Sequence, residues 1–257
     1  MEPIQDRKMS HWVTVSSSNN RSLGRLFCLP YAGGCASAYS SWKRLILPDI
    51  DIIRIHLPGR ENRLSEPPFT CLASLVETLV KELIIWMDRP FAIFGHSLGA
   101  LLAFELAREL RRRNHLLPSH LFVSGYRAPH LPLPEPPFSH LPDKDFIDRV
   151  RQYGGISDLE AQNEEIMEVF LPILKADFEM AEKYFYIDES PLEFPVTVFG
   201  GLADPKIGCE KLEAWQIHTS SFFSLHFFQG GHFFIRSAES LVIDQINLRL
   251  TQSLFPH

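Results

Sequence analysis

The sequence has few cysteines and no long apolar run. Its four cysteines lie far apart and none belongs to a Cys-x-x-Cys pair, which argues against a disulfide framework or a zinc knuckle. The first dozen residues contain no apolar segment of a signal peptide, and no stretch approaches the roughly 20 apolar residues that cross a bilayer. We therefore expect a cytoplasmic protein with no metal site, no membrane partner and these reduced cysteines: Cys28, Cys35, Cys71 and Cys209.

A basic surplus is also missing. The chain has 31 acidic residues against 25 lysines and arginines, for a net charge of −6. A general nucleic-acid partner would need excess positive charge to neutralise phosphates, so this class of partner is excluded. The one dense basic run, Arg111-Arg112-Arg113, falls at a predicted helix end, where cations complement the helix dipole.

Short apolar runs alternate with helical patterns through much of the chain. Apolar residues recur at the spacing of an amphipathic helix over 72–84. Strand and helix in alternation predict an α/β protein with a mostly parallel sheet covered on both faces, in a single domain. Strands are predicted at 25–29, 51–56, 91–94, 120–124, 195–200 and 222–228, with a short helix at 40–45 and a closing helix at 238–250.

The alternation stops between residues 129 and 190. Five prolines within 129–137 exclude a helix or a central strand there, and apolar-rich helical segments follow at 143–153 and 160–184. We expect 129–190 to form a helical lid inserted between core segments 24–128 and 191–252; an ordinary long crossover is the alternative. The polar residues 1–23 are predicted to be flexible.

The central motif is Gly95-His96-Ser97-Leu98-Gly99. It follows an apolar run and opens a helical segment, which is the strand–turn–helix context of a nucleophile elbow. Glycines two residues either side of Ser97 remove the collisions of a sharp turn. The pentapeptide alone is weak evidence, because the pattern is short and built from common residues.

A serine nucleophile needs a base and an orienting carboxylate. In hydrolase sheets these partners follow in the order serine, acid, histidine, each after a strand. Asp204 follows strand 195–200 and His232 follows strand 222–228, so we predict a catalytic triad of Ser97, Asp204 and His232.

Other acids and histidines fit these roles less well. The competing carboxylates follow helical or irregular segments instead of a strand; they are Asp49, Asp177 and Asp188. His96 adjoins Ser97 at a tight turn, where neighbouring side chains point apart, and we expect it to pack or hydrogen-bond locally.

An oxyanion hole needs two backbone N–H donors. One is predicted at Leu98, directly after the nucleophile, and the other in the turn Pro30-Tyr31-Ala32-Gly33-Gly34 after the first strand. Small residues let backbone amides approach a ligand, and Ala32 is the preferred donor, with Tyr31 close behind. A glycine turn without a ligand is the alternative.

Five blocks together resemble the type II thioesterases, free-standing α/β-hydrolases that accompany non-ribosomal peptide and polyketide synthases and are related to the thioesterase that redirects fatty acid synthase. The resemblance runs from about residue 26 to 235. Cys35 stands where serine is usual and Leu98 where methionine is common, and neither change removes a backbone amide. The blocks are Leu29–Gly34, Pro58–Arg63, Phe94–Ala100, Lys175–Phe178 and Gly230–Phe234.

The resemblance implies hydrolysis of acyl thioesters on the phosphopantetheine arm of carrier proteins. Ser97 would attack the carbonyl while His232, oriented by Asp204, takes the proton, and water would then release the acid from the acyl-enzyme. The implied role is editing, the removal of stalled groups that block carrier domains. No cofactor of the protein's own is implied, because the substrate carries the phosphopantetheine, and a monomer is expected.

Lid helices would shape the acyl pocket, and basic residues would receive the acidic carrier domain. Candidates for docking are Arg60, Arg63 and the run 111–113, although exposed arginines are commonly only solubilising. The candidate pocket residues, each equally compatible with plain lid core, are Tyr31, Met167, Phe170, Phe178 and Met180.

Two other functions remain open from the sequence. A general carboxylesterase or lipase on the same fold would share the triad but prefer oxygen esters. A non-catalytic binding protein on a hydrolase scaffold would not need all three triad positions filled.

Overall fold

A seven-stranded sheet lies at the centre of the molecule. The structure is a computed structural model that describes residues 10–16, 22–156 and 163–254. The strands lie in the order β1-β3-β2-β4-β5-β6-β7, with β1 antiparallel to β3 and every other pair parallel. They are β1 (Val13–Ser16), β2 (Gly24–Leu29), β3 (Ile50–Ile55), β4 (Phe91–His96), β5 (His120–Ser124), β6 (Val196–Gly201) and β7 (Phe223–Phe228).

Helices follow most of the strands. The predicted amphipathic helix and closing helix are both present, whereas the predicted helix at 40–45 is a short 3-10 turn at Ser41–Arg44. The α-helices are α1 (Leu72–Leu83), α2 (Leu98–Arg112), α3 (Asp143–Arg151), α4 (Glu164–Glu182), α5 (Cys209–Glu213), α6 (Phe234–Ser237) and α7 (Glu239–Leu254).

The sheet is covered on both faces, as predicted. Every residue of β2, β4, β5 and β6 is buried, which is the pattern of parallel strands beneath helices on each side. Successive side chains of a strand point to opposite faces. Accordingly, Phe27 belongs to the apolar cluster formed with α1 and α2, and its neighbour Leu26 to the cluster formed with α7.

One N-terminal segment differs from the prediction. Val13–Ser16 forms an edge strand, with Val13 opposite Ile55 and Ser16 opposite Ile52, so the expected flexibility is wrong for these four residues. Two interactions hold the segment. It pairs with the edge of β3 that would otherwise be unpaired, and the neighbouring Trp12 ring packs against Arg63, whose Cζ lies 3.8 Å from the ring centre. The rest of the predicted flexible terminus includes 1–9 and 17–21, which lie outside the described residues.

Residues 129–190, called the lid below, lie between β5 and β6. They contain α3 and α4 near the two predicted helical segments, and positions 160–162 of the second segment lie outside the described residues. The lid has a small apolar cluster of its own, formed by Phe138, Phe146, Val150, Ile156, Met167 and Leu174. Among the described residues, no helix has the length and apolar character needed to span a bilayer.

Candidate active site

Ser97 occupies a sharp turn between β4 and α2. Its φ of 53° and ψ of −121° are unfavourable for a residue with a side chain. The Ser97 amide donates to the Ser124 carbonyl at 2.7 Å, which holds the turn in place. A Cβ at Gly95 would lie 1.9 Å from the Gly99 carbonyl oxygen, and one at Gly99 would lie 2.3 Å from the Leu29 carbonyl oxygen. The turn therefore requires both glycines of the motif.

Asp204 and His232 meet above the carboxyl ends of β6 and β7. His232 Nδ1 and Asp204 Oδ2 are 2.7 Å apart, and their side chains are 4% and 1% exposed. The other Asp204 oxygen accepts from the amides of Lys206 and Ile207 at 2.9 and 3.1 Å. Burial opposes ionisation of Asp204, but hydrogen bonding and the charge of His232, with the two amides, lower its pKa overall. The carboxylate is thus ionised and holds the imidazole in one orientation.

Ser97 and His232 line the same cavity, which has a volume of about 420 Å³. Ala32 and Leu98 line it as well. Among the residues that the structure describes, none accepts a hydrogen bond from the amide of Ala32 or of Leu98. Neither amide is therefore committed to an acceptor among the described residues, as an oxyanion donor requires.

His96 lies beneath this cavity and is fully buried. Its Nδ1 is 2.9 Å from the Ser124 hydroxyl, and its ring centre is 5.1 Å from that of His232. Burial, and then the neighbouring His232, hold the pKa of His96 well below its usual value. His96 is consequently a neutral packing partner of His232, which agrees with its expected local role.

Three of the five predicted pocket residues line the cavity, namely Tyr31, Phe170 and Phe178. The prediction is wrong for Met167 and Met180. Met167 belongs to the apolar cluster inside the lid, and Met180 packs into the main core on the α1–α2 side of the sheet. Sequence reasoning missed several apolar lining residues because most lie in irregular segments without periodicity: Leu133, Phe138, Val150, Tyr153, Ile156, Ile207 and Phe233.

The structure also corrects the proposed docking role of Arg60 and Arg63. Arg60 is 3% exposed and forms a bidentate pair with the fully buried Asp177, at 2.8 and 2.9 Å. Arg63 is 4% exposed and pairs with Glu66 at 2.6 Å. Neither guanidinium is available to an acidic partner, because each is buried and already paired with a carboxylate of this chain.

Carboxylates also pair with each arginine of the basic run at the end of α2. Arg111 contacts Glu189 at 2.9 Å, and Arg113 contacts Glu109 at 2.6 Å. Arg112 contacts both acids, at 2.6 Å to Glu189 and 2.8 Å to Glu109. This run therefore does not form an uncompensated basic patch.

Comparisons with known proteins agree with this geometry. The thioesterase domain family matches residues 24–250. The chain is 39% identical over 249 residues to the gramicidin S biosynthesis protein GrsT of Aneurinibacillus migulanus, covering 97% of each chain.

Two solved structures share the fold. One is the thioesterase RedJ from the prodiginine biosynthetic pathway in Streptomyces coelicolor, with 35% identity, a TM-score of 0.84, and coverage of 89% of this chain and 86% of RedJ. The other is YbtT, a type II thioesterase from the yersiniabactin NRPS/PKS biosynthetic pathway, with 30% identity, a TM-score of 0.85, and coverage of 95% and 99%. The chain thus has the α/β-hydrolase fold. It belongs to the thioesterase domain family and is a thioester hydrolase of the serine-hydrolase type, related to the type II thioesterases of NRPS and PKS pathways.

Proposed function

We propose that this chain is an editing thioesterase, which removes acyl groups from the phosphopantetheine arms of carrier proteins through a Ser97–His232–Asp204 triad. The observation that carries the proposal is that His232, which forms a buried 2.7 Å pair with Asp204, lines one cavity with Ser97. Relatives named for gramicidin S biosynthesis and for an NRPS/PKS pathway support carrier domains as partners. The proposal places the reaction in the cytoplasm.

In the acylation half-reaction, Ser97 Oγ attacks the thioester carbonyl and its proton passes to His232 Nε2. Negative charge on the carbonyl oxygen is stabilised by the amides of Ala32 and Leu98. The intermediate collapses as the C–S bond breaks, and His232 protonates the departing thiolate of the arm. The product is an ester of Ser97, the acyl-enzyme.

In the deacylation half-reaction, His232 takes a proton from water, and the resulting hydroxide attacks the ester. Collapse releases the carboxylic acid and returns the proton to Ser97. Asp204 stays ionised throughout and stabilises the imidazolium that forms twice per turnover. No cofactor of the protein's own enters either step.

The apolar wall of the cavity supports an acyl group as the substrate portion that enters it. Phe170 and Phe178 extend from α4, and Phe138 and Leu133 come from the proline-rich start of the lid. Such a wall contacts hydrocarbon without requiring directional hydrogen bonds, which suits the tolerance of several acyl groups that editing needs.

A panel of acyl groups on one carrier protein, compared with nitrophenyl esters of the same acids, tests this function. Mass spectrometry of the carrier follows thioester hydrolysis, and absorbance follows the esters. We expect a higher kcat/KM for the carrier thioesters. A consistent preference for nitrophenyl esters would instead identify a general carboxylesterase, and undiminished hydrolysis in Ser97→Ala would exclude Ser97 as the nucleophile.

A further inference from the structure

A buried polar cluster reaches the cavity that contains Ser97, and the triad mechanism does not use it. It joins Arg60, from the loop after β3, to Asp177, in the lid helix α4. Asp177 Oδ2 accepts from Arg60 Nη1 at 2.8 Å and from the Gly33 amide at 2.7 Å. Arg60 Nη1 also donates to the Gly34 carbonyl at 3.2 Å. The cluster thus reaches the turn that supplies the Ala32 amide.

The turn at Tyr31–Gly34 has one peptide whose orientation is adjustable. The Gly34 amide donates to the Tyr31 carbonyl at 2.7 Å, and Gly33 has a φ of +68°. Type I and type II β-turns differ mainly in the orientation of the peptide between their two central residues. Here that peptide joins Ala32 to Gly33, and the carboxylate of Asp177 binds its N–H. The ion pair therefore selects one orientation of the peptide next to the Ala32 donor.

The same lid helix holds the turn by packing as well. A Cβ at Gly33 would lie 2.7 Å from Leu174 Cδ2 and 2.7 Å from Phe170 Cζ, so the backbone of the turn lies directly against α4. Leu174, Asp177 and Phe170 all line the cavity that contains Ser97. Two side-chain packing contacts and one charged hydrogen bond from α4 fix the position of Gly33.

A purely stabilising role explains this pair poorly. Asp177 is fully buried and Arg60 is 3% exposed, and the desolvation of two such charges often cancels their attraction. A buried pair does, however, fix geometry, because each hydrogen bond has a narrow range of distance and direction.

We propose that Asp177, oriented by Arg60, is a positioning residue for the oxyanion hole. It fixes the Ala32–Gly33 peptide and thereby the backbone position of Ala32, so that the Ala32 N–H, which belongs to the preceding peptide, is kept at the carbonyl oxygen of a substrate on Ser97. This role rests on the proposed function. The same contacts connect the cavity wall on α4 to the turn at Tyr31–Gly34, so that α4 stays packed against this turn during catalysis.

The variants Asp177→Leu and Asp177→Asn test this role. Leucine cannot accept from Gly33, and misplacing one oxyanion donor lowers kcat by up to about 10²–10³-fold. We expect a loss of at least about tenfold in kcat per active site, with KM for the acyl-carrier substrate changed less than about threefold. Asparagine has nearly the size of aspartate and keeps one acceptor oxygen, so Asp177→Asn should recover part of the lost kcat.

An alkylboronic acid gives a second readout. It forms a tetrahedral adduct with a serine nucleophile, and one of its oxygens occupies the oxyanion hole. Its affinity should fall in Asp177→Leu by about the same factor as kcat. Loss of folded protein alone would lower the number of active sites, titrated with a fluorophosphonate, and leave kcat per site and boronate affinity unchanged.

Two further variants keep the proposal falsifiable. Arg60→Met/Asp177→Leu replaces the whole pair by apolar side chains, which commonly preserves folding, and should show the same loss of kcat. Lys175→Met is the matched control, because it breaks the 2.6 Å ion pair of α4 with Asp143 and leaves the turn untouched; it should keep wild-type kcat. Wild-type kcat and boronate affinity in the double variant would overturn the proposal. Failure of the proposed function has a different signature, the absence of thioester hydrolysis by the unmodified protein.

Discussion

At the residue scale, Asp204 has two separate tasks. One oxygen binds His232, and the other accepts from the amides of Lys206 and Ile207. Only the first task requires the negative charge, since an amide oxygen also accepts hydrogen bonds from backbone N–H groups. A substitution can therefore remove the negative charge beside His232 and still keep the hydrogen bonds that hold the turn after β6.

The variant Asp204→Asn should lose on the order of 10⁴ in kcat. An amide placed against His232 Nδ1 stabilises the wrong tautomer, and it does not stabilise the imidazolium. Thermal unfolding should change little, because the hydrogen bonds to Lys206 and Ile207 remain. Steady-state kinetics on an acyl-carrier substrate, with a melting curve, measure both. A loss below tenfold would contradict the orienting role of Asp204.

Single residues were predictable where they follow a pattern along the chain. Ser97 comes directly after β4, and Asp204 and His232 lie in the loops that follow β6 and β7, so their order and spacing could be read. Arg60 and Asp177 are 117 residues apart, and no local pattern indicates that they meet. Both lie in blocks quoted for the family resemblance, yet the sequence alone led us to place Arg60 on the surface.

At the scale of an element, the β4–α2 turn depends on close approach of backbone to backbone. Gly95 faces the Gly99 carbonyl, and Gly99 faces the carbonyl of Leu29 in β2. These neighbours are main-chain atoms of the central sheet and its helix, which have little freedom to move. The geometry that exposes Ser97 is thus built from parts that cannot relax around an added methyl group.

The variant Gly95→Ala should lower the free energy of unfolding by about 1–3 kcal/mol or more. Its Cβ would lie 1.9 Å from the Gly99 carbonyl oxygen, so the turn must open. The matched control is Gly208→Ala, where a Cβ meets no atom within 4 Å and only the preference at a helix start changes, worth less than about 1 kcal/mol. Urea unfolding compares the two. Equal stability of both variants would show that the turn adjusts freely.

Elements with a strong hydrophobic periodicity were predicted well, and segments without such a periodicity were not. The pattern over 72–84 gives α1, whose apolar stripe is buried against α2. The edge strand Val13–Ser16 has four residues next to a serine-rich run, and its conformation depends on pairing with β3. The irregular 129–142 lines the cavity through side chains such as Leu133 and Phe138, whose direction no periodicity gives.

At the scale of the whole molecule, charged groups join the end of the lid to the end of α2. Glu189 contacts Arg108, Arg111 and Arg112 at distances of 2.6 to 2.9 Å. Burial opposes ionisation of Glu189, but hydrogen bonds from Arg111 and Arg112, with the charge of Arg108, lower its pKa from 4.5 to about 2. A lowered pKa in the folded state means that ionised Glu189 stabilises the fold above about pH 4.5, and that this stabilisation is lost as pH falls toward 2.

The variant Glu189→Gln should reduce the acid sensitivity of the protein. Its free energy of unfolding should fall less steeply between pH 4.5 and 2 than that of the wild type, because one group that binds a proton on unfolding is gone. Urea unfolding at a series of pH values measures the slope. The exposed Glu193, changed to Gln, is the control and should follow the wild type. An unchanged slope in Glu189→Gln would place the acid sensitivity elsewhere.

The central claim concerns the whole reaction: Ser97 takes the acyl group from a carrier-bound thioester. Acid quench within the first turnovers, followed by peptide mass spectrometry, tests it most directly. We predict an acyl group on the peptide containing Ser97 together with a free thiol on the carrier, and neither adduct nor hydrolysis above background in Ser97→Ala. Hydrolysis by Ser97→Ala at the wild-type rate, without an adduct at this position in the wild type, would contradict the account.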